Sequence, residues 1–417
     1  MAHPYVELLR DRRISALWAG LALSAVGSEL YRVGTIWLAA ELVGRNASLM
    51  VTAQSAAILL VSIFGGPLVE GVPRRIFLVW GEVLSALASA AVVAVGLVVG
   101  LSFPLLVAAS VATVAIGSMQ RPVLLSSLPQ LASGRVREVN GLFDSTSRVA
   151  QAVGPLLAAA ALKVMPAIHL LTANAVSYLA SAAALAFVGR KLDGGRAPAA
   201  AAGGFLRRLG RGVTAANGCP GVWGVVLTTG LRGGFYALGY MVAVPLLFAE
   251  RPGSGGLGGV AIVFGATAVT EMVTTPMLVL THPARPLRRL YEGYALIGVS
   301  LTLMGLAAGL PEAWRTPAMA ATGVLIGLGN SMAGLQMMTF FASRLPGDDY
   351  AAVLRLRQVM IISAMMLATL AGPLILGAVG TARTISLCGL VAGAGAFIGL
   401  ISRPARTLGA GFLPPEG

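Results

Sequence analysis

The chain has 417 residues and a formal net charge of +14, with 57% hydrophobic residues and only 11% charged ones, against about 25% charged in a soluble domain. So little polar surface cannot clothe one water-soluble core of this size, and lipid must be the solvent for most of it. The positive charge lies in short segments between apolar runs, which argues against a nucleic-acid partner and for membrane topology.

A spanning helix needs about 20 mostly apolar residues. Behind a basic N-terminal tail, the run 14–39 is too long for the core of a signal peptide and predicts a retained first helix. Further spans are predicted at 48–69, 76–101, 104–128, 141–165 and 167–189, and, after a break, at 222–249, 257–280, 290–310, 316–341, 353–378 and 381–402. The expected fold is therefore all-α and integral to the membrane, with twelve transmembrane helices in two six-helix, pseudo-symmetric bundles. The expected domains are 1–189 and 222–417, joined by a linker at 190–221. That linker is rich in Gly, Ala and Arg, with room for a short surface-lying helix around Phe205–Val213. With the N-terminus inside, inner segments hold 21 Lys and Arg residues and outer segments 5. The expected location is the cell membrane, multi-pass, with both termini cytoplasmic.

The halves repeat. Trp18, Tyr31 and Gly34 recur as Trp223, Tyr236 and Gly239, and Arg74-Arg75 recur as Arg288-Arg289. Leu128-Pro129 recur as Leu345-Pro346, and Gly154-Pro155-Leu156 as Gly372-Pro373-Leu374. Six helices return the chain to its starting side, so the halves are parallel repeats about an axis normal to the membrane.

Each charge inside a span needs a reason, because it costs at least about 2.5–3.5 kcal/mol at the bilayer centre. Glu29 and Arg32 share one face of the first helix, Arg232 lies in the seventh and Glu271 in the eighth. They are either structural ion pairs or a site for substrate or protons. The offset of 205 residues maps Gly27 onto Arg232 and Gly234 onto Glu29. Glu29 and Arg232 are then expected within about 3 Å of one depth, facing one another. A second group, Glu70, Glu82, Arg121, Asp144 and Arg148, falls nearer the cytoplasm, with Glu82 expected to be partly solvated.

Other chemistry finds no footing. Cys219 and Cys388 belong at different depths, so no disulfide is expected, and His3, His169 and His282 lack metal-ligand spacing. Neither Lys163 nor Lys191 lies in a phosphate-binding loop, and no nucleophile stands beside a donor-binding loop. No catalytic residue, metal or cofactor is expected, and the chain is not read as an enzyme. An ion gradient must then supply the energy. One proton moving down 100 mV and one pH unit releases about 3.7 kcal/mol, enough for roughly a 500-fold gradient of neutral cargo.

The segment Gly66-Pro67-Leu68-Val69-Glu70-Gly71-Val72-Pro73-Arg74-Arg75 resembles the signature loop between helices 2 and 3 of the major facilitator superfamily. It matches at the first Gly, the acid and the final basic pair. It departs where Glu70 replaces Asp, Gly71 a basic residue and Pro73 a Gly. Gly154-Pro155 is similar to the exporter-associated motif of helix 5, without the glycines that usually follow. Leu128-Pro129, Arg137-Glu138-Val139-Asn140, Arg148 and Arg211-Gly212 resemble the branch of bacterial macrolide efflux proteins and the enterobactin exporter. The resemblance implies that helices 1 and 7 line a central cavity, placing Glu29, Arg32, Arg232 and Glu271 at a substrate or proton-coupling site. It also implies a cytoplasmic gate at Gly66, Glu70, Arg74, Arg75, Arg121, Asp144 and Arg148. The expected activity is secondary active transport, read as proton-coupled export of a small amphipathic molecule by alternating access, with ion-coupled import as the alternative. Expected partners are a small-molecule cargo, protons or another coupling ion, and the bilayer; a monomer is expected.

Overall fold

The computed structural model describes residues 7–69, 72–131, 135–193, 205–251, 256–279 and 283–408. The predicted spans become α1 (Arg12–Val43), α2 (Ser48–Val69), α3 (Arg74–Val98), α4 (Phe103–Leu131), α5 (Val136–Ala161) and α6 (His169–Val188). They continue as α7 (Val222–Glu250), α8 (Gly256–Val279), α9 (Pro286–Ala307) and α10 (Glu312–Arg344). Last come α11, in which Gly347–Leu370 is continued by Gly372–Val379, and α12 (Thr381–Ile401). No strand occurs among the described residues. Ten described stretches are both long and apolar enough to cross a membrane; the first, Arg12–Gly65, holds α1 and α2. Helix α5 is not among them, because Glu138, Asp144 and Arg148 interrupt it. The chain is a multi-pass membrane protein, with twelve helices numbered α1 to α12 as its bundle.

Proline sets several boundaries. Pro73, Pro311 and Pro346 stand just before α3, α10 and α11, and Pro286 opens α9. In the first turn a missing N–H costs nothing, and the fixed φ suits helix entry. Gly221 opens α7 at φ +90°, where an added Cβ would meet Leu287, Phe340 and Pro404.

The chain forms two compact units, Met1–Leu42 with Ala57–Ala202, and Val43–Ala56 with Gly203–Gly417. In the first, α3 packs against α6 and α4. Gly20, Gly27 and Gly34 of α1 recur every seventh residue and bring its backbone onto α6, at Ala184, Ser177 and Leu170 in turn. Between apolar helices in lipid no hydrophobic force acts, so small residues that permit close approach supply the attraction.

In the second unit α9 packs against α12 and α10, α8 against α10, and α11 against α7. Gly298 of α9 meets the backbone of Gly393 and Gly389 on α12. The entry to α2 belongs to this unit: Gly44–Ala47 touches Gly372–Val379, and the hydroxyls of Thr52 and Thr369 share a hydrogen bond of 2.9 Å. The repeat carries into packing. Gly34 seats α1 on α6 as Gly239 seats α7 on α12, and Gly154 meets α1 as Gly372 meets α7.

Of the linker, residues 194–204 lie outside the described residues. Its helix, Phe205–Gly218, runs past the expected end at Val213 and docks on α11, where Gly212 meets the Ala352 carbonyl. Arg211 donates to Asp349 at 3.0 Å and Asp348 at 3.2 Å. Both acids occupy the first turn of α11, where a helix favours negative charge. The Asp349 carboxylate raises the Arg211 pKa above its ordinary value.

Candidate functional site

In the first unit the site residues gather on α1 and α5. Arg32 donates through Nε and Nη2 to one carboxylate oxygen of Glu29, at 2.8 and 2.7 Å. Their i, i+3 spacing puts both on one face. Directly beneath them is Gly154: a Cβ added there would overlap the Cβ of Glu29. The glycine of the helix 5 motif therefore makes the space in which Glu29 sits. Trp18 Nε1 donates to Thr146 Oγ1 at 2.8 Å, binding the same two helices a few turns away.

Asp144 accepts from Arg148 Nε at 2.9 Å, both of them exposed. With Gln151 they form an open polar stripe at i, i+4 and i+7 along α5. Against acyl chains each ion would cost at least about 2.5–3.5 kcal/mol, which argues for water along this stripe. Arg121 of α4 is exposed as well, and forms no ion pair among the described residues. Arg74 is buried at the start of α3, and the Arg75 amide donates to Asp193 Oδ1 at 2.9 Å. Gly66 lies near the end of α2, and Glu70 lies outside the described residues.

In the second unit the candidates join through residues that the sequence did not single out. Arg232 Nη1 donates to Asn330 Oδ1 at 3.0 Å, and Asn330 Nδ2 donates to Glu271 Oε1 at 2.5 Å. One amide from α10 thus links a cation on α7 to an anion on α8. The Arg232 guanidinium also stands 5.5 Å from the Tyr236 ring and 5.2 Å from the Tyr294 ring. Such cation–π contacts offset part of the cost of removing it from water. Tyr294 shares a hydrogen bond with Thr229 at 3.0 Å. Just beyond Tyr236, α7 widens to π-helical winding over Ala237–Val242, a departure that recurs at functional sites. There Tyr236 stacks on Tyr240 at 4.8 Å, and Tyr240 shares a hydrogen bond with Thr267 at 2.7 Å.

Glu29 is engaged by Arg32 and Arg232 by Asn330, each within its own bundle. Arg357 lies inside α11, ten residues on from the helix start at Gly347. Ten residues of helix carry it about 15 Å inward, where its charge acts on Tyr294 and Arg232. Glu82, expected to be partly solvated, is buried. Asn330 was legible only as an amide in a glycine-rich apolar helix, a signal without a partner until α8 and α7 are packed beside it.

Two six-helix bundles of this construction define the major facilitator fold. No family model and no curated protein matches the sequence. Solved structures do match in shape. A bacterial homologue of the iron transporter ferroportin, in an inward-facing state, aligns with TM-score 0.70 at 15% identity, over 94% of this chain and 99% of that one. An auto-inhibited peptide transporter of the POT family aligns with TM-score 0.71 at 14% identity, over 95% and 97%. A POT-family transporter in complex with 5-aminolevulinic acid aligns with TM-score 0.69 at 12% identity, over 94% and 96%. At these identities the likeness establishes the fold.

Proposed function

We propose that the protein is a secondary active transporter that exports a small amphipathic molecule in exchange for protons, by alternating access. The observation that carries this reading is the Arg232–Asn330–Glu271 chain: ionised and amide groups joined across three helices of a membrane bundle, bordered by Tyr236 and Tyr294. Intramembrane charges of this kind mark substrate and ion pathways. Tyrosine faces and an arginine suit a cargo with an apolar body and a polar or anionic group. The resemblance to the macrolide and enterobactin exporters supports outward transport and cargo of the drug, secondary-metabolite or siderophore type. We assign Glu29 to proton coupling, Arg232 to cargo, and Arg32 and Glu271 to tuning the exchange between them. Glu70, Arg74, Arg75, Arg121, Asp144 and Arg148 are assigned to a cytoplasmic gate.

The test is uptake of a radiolabelled macrolide and a catecholate siderophore under an imposed proton gradient. Export predicts accumulation in inverted vesicles. Uphill entry into whole cells, with none into inverted vesicles, would establish the importer instead.

The assigned orientation is a monomer in the cell membrane with cytoplasmic termini, and Cys219 tests it without mutagenesis. It lies just before α7, half-buried, while Cys388 is buried in α12. An impermeant maleimide should label Cys219 in inverted vesicles and leave it untouched in intact cells. Burial pushes the Cys219 thiol above its usual 9.0. The reactive thiolate is therefore scarce at neutral pH, and labelling should accelerate as pH rises. Labelling from outside would reverse the topology.

A further inference from the structure

Glu82 lies eight residues into α3, about 12 Å along the helix axis from Arg74, and only 9% of it is exposed. Ser181 of α6 and Ser24 of α1 present hydroxyls to its carboxyl, and Tyr178 of α6 is the titratable group that acts on it. The phenol of Tyr178 is itself turned toward Asn174 and Ser28. From α4 comes Gln120, whose amide donates to the Leu78 carbonyl at 2.7 Å and lies against Gly81. These neighbours are hydroxyls, a phenol and an amide. Glu29, Asp144 and Glu292 each face an arginine, but no ion pair among the described residues includes Glu82. Its Oε2 and the Ser181 hydroxyl are buried without a completed hydrogen bond.

A carboxylate at this place would carry the cost of a membrane-interior charge with only dipoles to offset it. A carboxylic acid avoids that cost, and its O–H supplies the donor that a serine oxygen lacks. We propose that Glu82 is a proton-binding site of the first bundle, its carboxyl carrying a proton between α1, α3 and α6. The step is the reversible addition of one proton to one carboxylate oxygen, and no other bond changes. The proton is taken from water and returned to water. Glu82 then stands as a second acid beside Glu29, one matched by an arginine and one by a proton. Its part in transport rests on the proton-coupled reading; its occupancy does not.

The test is infrared spectroscopy of the reconstituted full chain at neutral pH. Wild type should show the carbonyl stretch of a protonated carboxylic acid, shifted in D2O. The band should be lost in Glu82→Gln and retained in Glu29→Gln. An unchanged band in Glu82→Gln overturns the proposal. Should that variant misfold, dicyclohexylcarbodiimide applied to wild type decides, because it modifies protonated carboxyls in apolar surroundings. Mass spectrometry should find the adduct on Glu82 at neutral pH, declining as pH rises; its absence from Glu82 overturns the proposal equally. If Glu82 is protonated yet vesicle uptake ignores the proton gradient, the site stands and the coupled reading falls.

Discussion

In the first bundle Glu29 and Arg32 stand three residues apart on α1, and Asp144 and Arg148 four apart on α5. Each acid meets its base without help from a neighbouring helix. In the second bundle Arg232 of α7 is joined to Glu271 of α8 through Asn330 of α10. A pair on one helix survives any movement of that helix against its neighbours, and opens by a change of rotamer. A chain through three helices fixes their spacing, and opens only if one of them moves or a competing group displaces a member. This difference is what the proposed function asks for, with ion exchange assigned to the first bundle and cargo to the second.

The largest effect should come from removing the middle of the chain. Asn330→Leu leaves a guanidinium and a carboxylate in the second bundle without the amide that joined them. Hydrogen bonds to charged groups contribute about 1.5–3 kcal/mol each, with the penalty of stranding them in addition. With two such bonds lost, a destabilisation of at least about 3 kcal/mol is expected, read as a lowered Tm in detergent. Arg232→Gln and Glu271→Gln should then be strongly non-additive, because both charges act on the one Asn330 amide. Additive effects would mean that the two charges do not communicate through Asn330.

Next in size is Gly154→Val. The added Cβ overlaps that of Glu29, so α5 must withdraw from α1. Overpacking of this kind costs about 1–3 kcal/mol. The comparison sharpens if Glu29→Ala restores part of the lost Tm, since the collision is with that side chain. No rescue would place the strain elsewhere along the α1–α5 contact.

Glu29→Gln should hardly change stability. Glu29 is 15% exposed and Arg32 40%, so discounting for screening leaves about 0.5 kcal/mol. Its effect belongs to transport: uphill accumulation under a proton gradient should disappear while downhill exchange persists. Arg232→Ala should instead weaken cargo binding itself. If Glu29→Gln concentrates cargo at the wild-type rate, proton coupling does not pass through it.

The helices and their repeat were readable because lipid imposes length and apolarity on every span; the span predicted at 48–69 coincides with α2. Glu29 and Arg32 were equally readable, since an i, i+3 pair needs no knowledge of packing. What stayed hidden depends on neighbours distant in sequence. Asn330 acquires meaning only between α7 and α8, and Glu82 only when hydroxyls of α1 and α6 close over it. Likewise the charge of Arg357 acts on Arg232 of α7 only once α11 is packed against that helix.

The smallest effect should be that of Asp144→Asn, and it probes what the outer face of α5 touches. The side chains of Asp144 and Arg148 are 61% and 52% exposed, and an i, i+4 pair open to water contributes about 0.3–0.5 kcal/mol. Were the stripe against acyl chains, the substitution would remove one expensive charge but leave Arg148 without its counter-ion, moving Tm well beyond that range. In water the pair is only one weak contact among many screened charges. At about 1 M salt the Debye length falls to about 3 Å, and the remaining difference from wild type should vanish. A shift below about 0.5 kcal/mol that salt abolishes puts the stripe in water, as a polar pathway along the first bundle requires. A large shift indifferent to salt would mean that α5 is packed and dry along this face, and that Asp144 and Arg148 hold the bundle together rather than line a path through it.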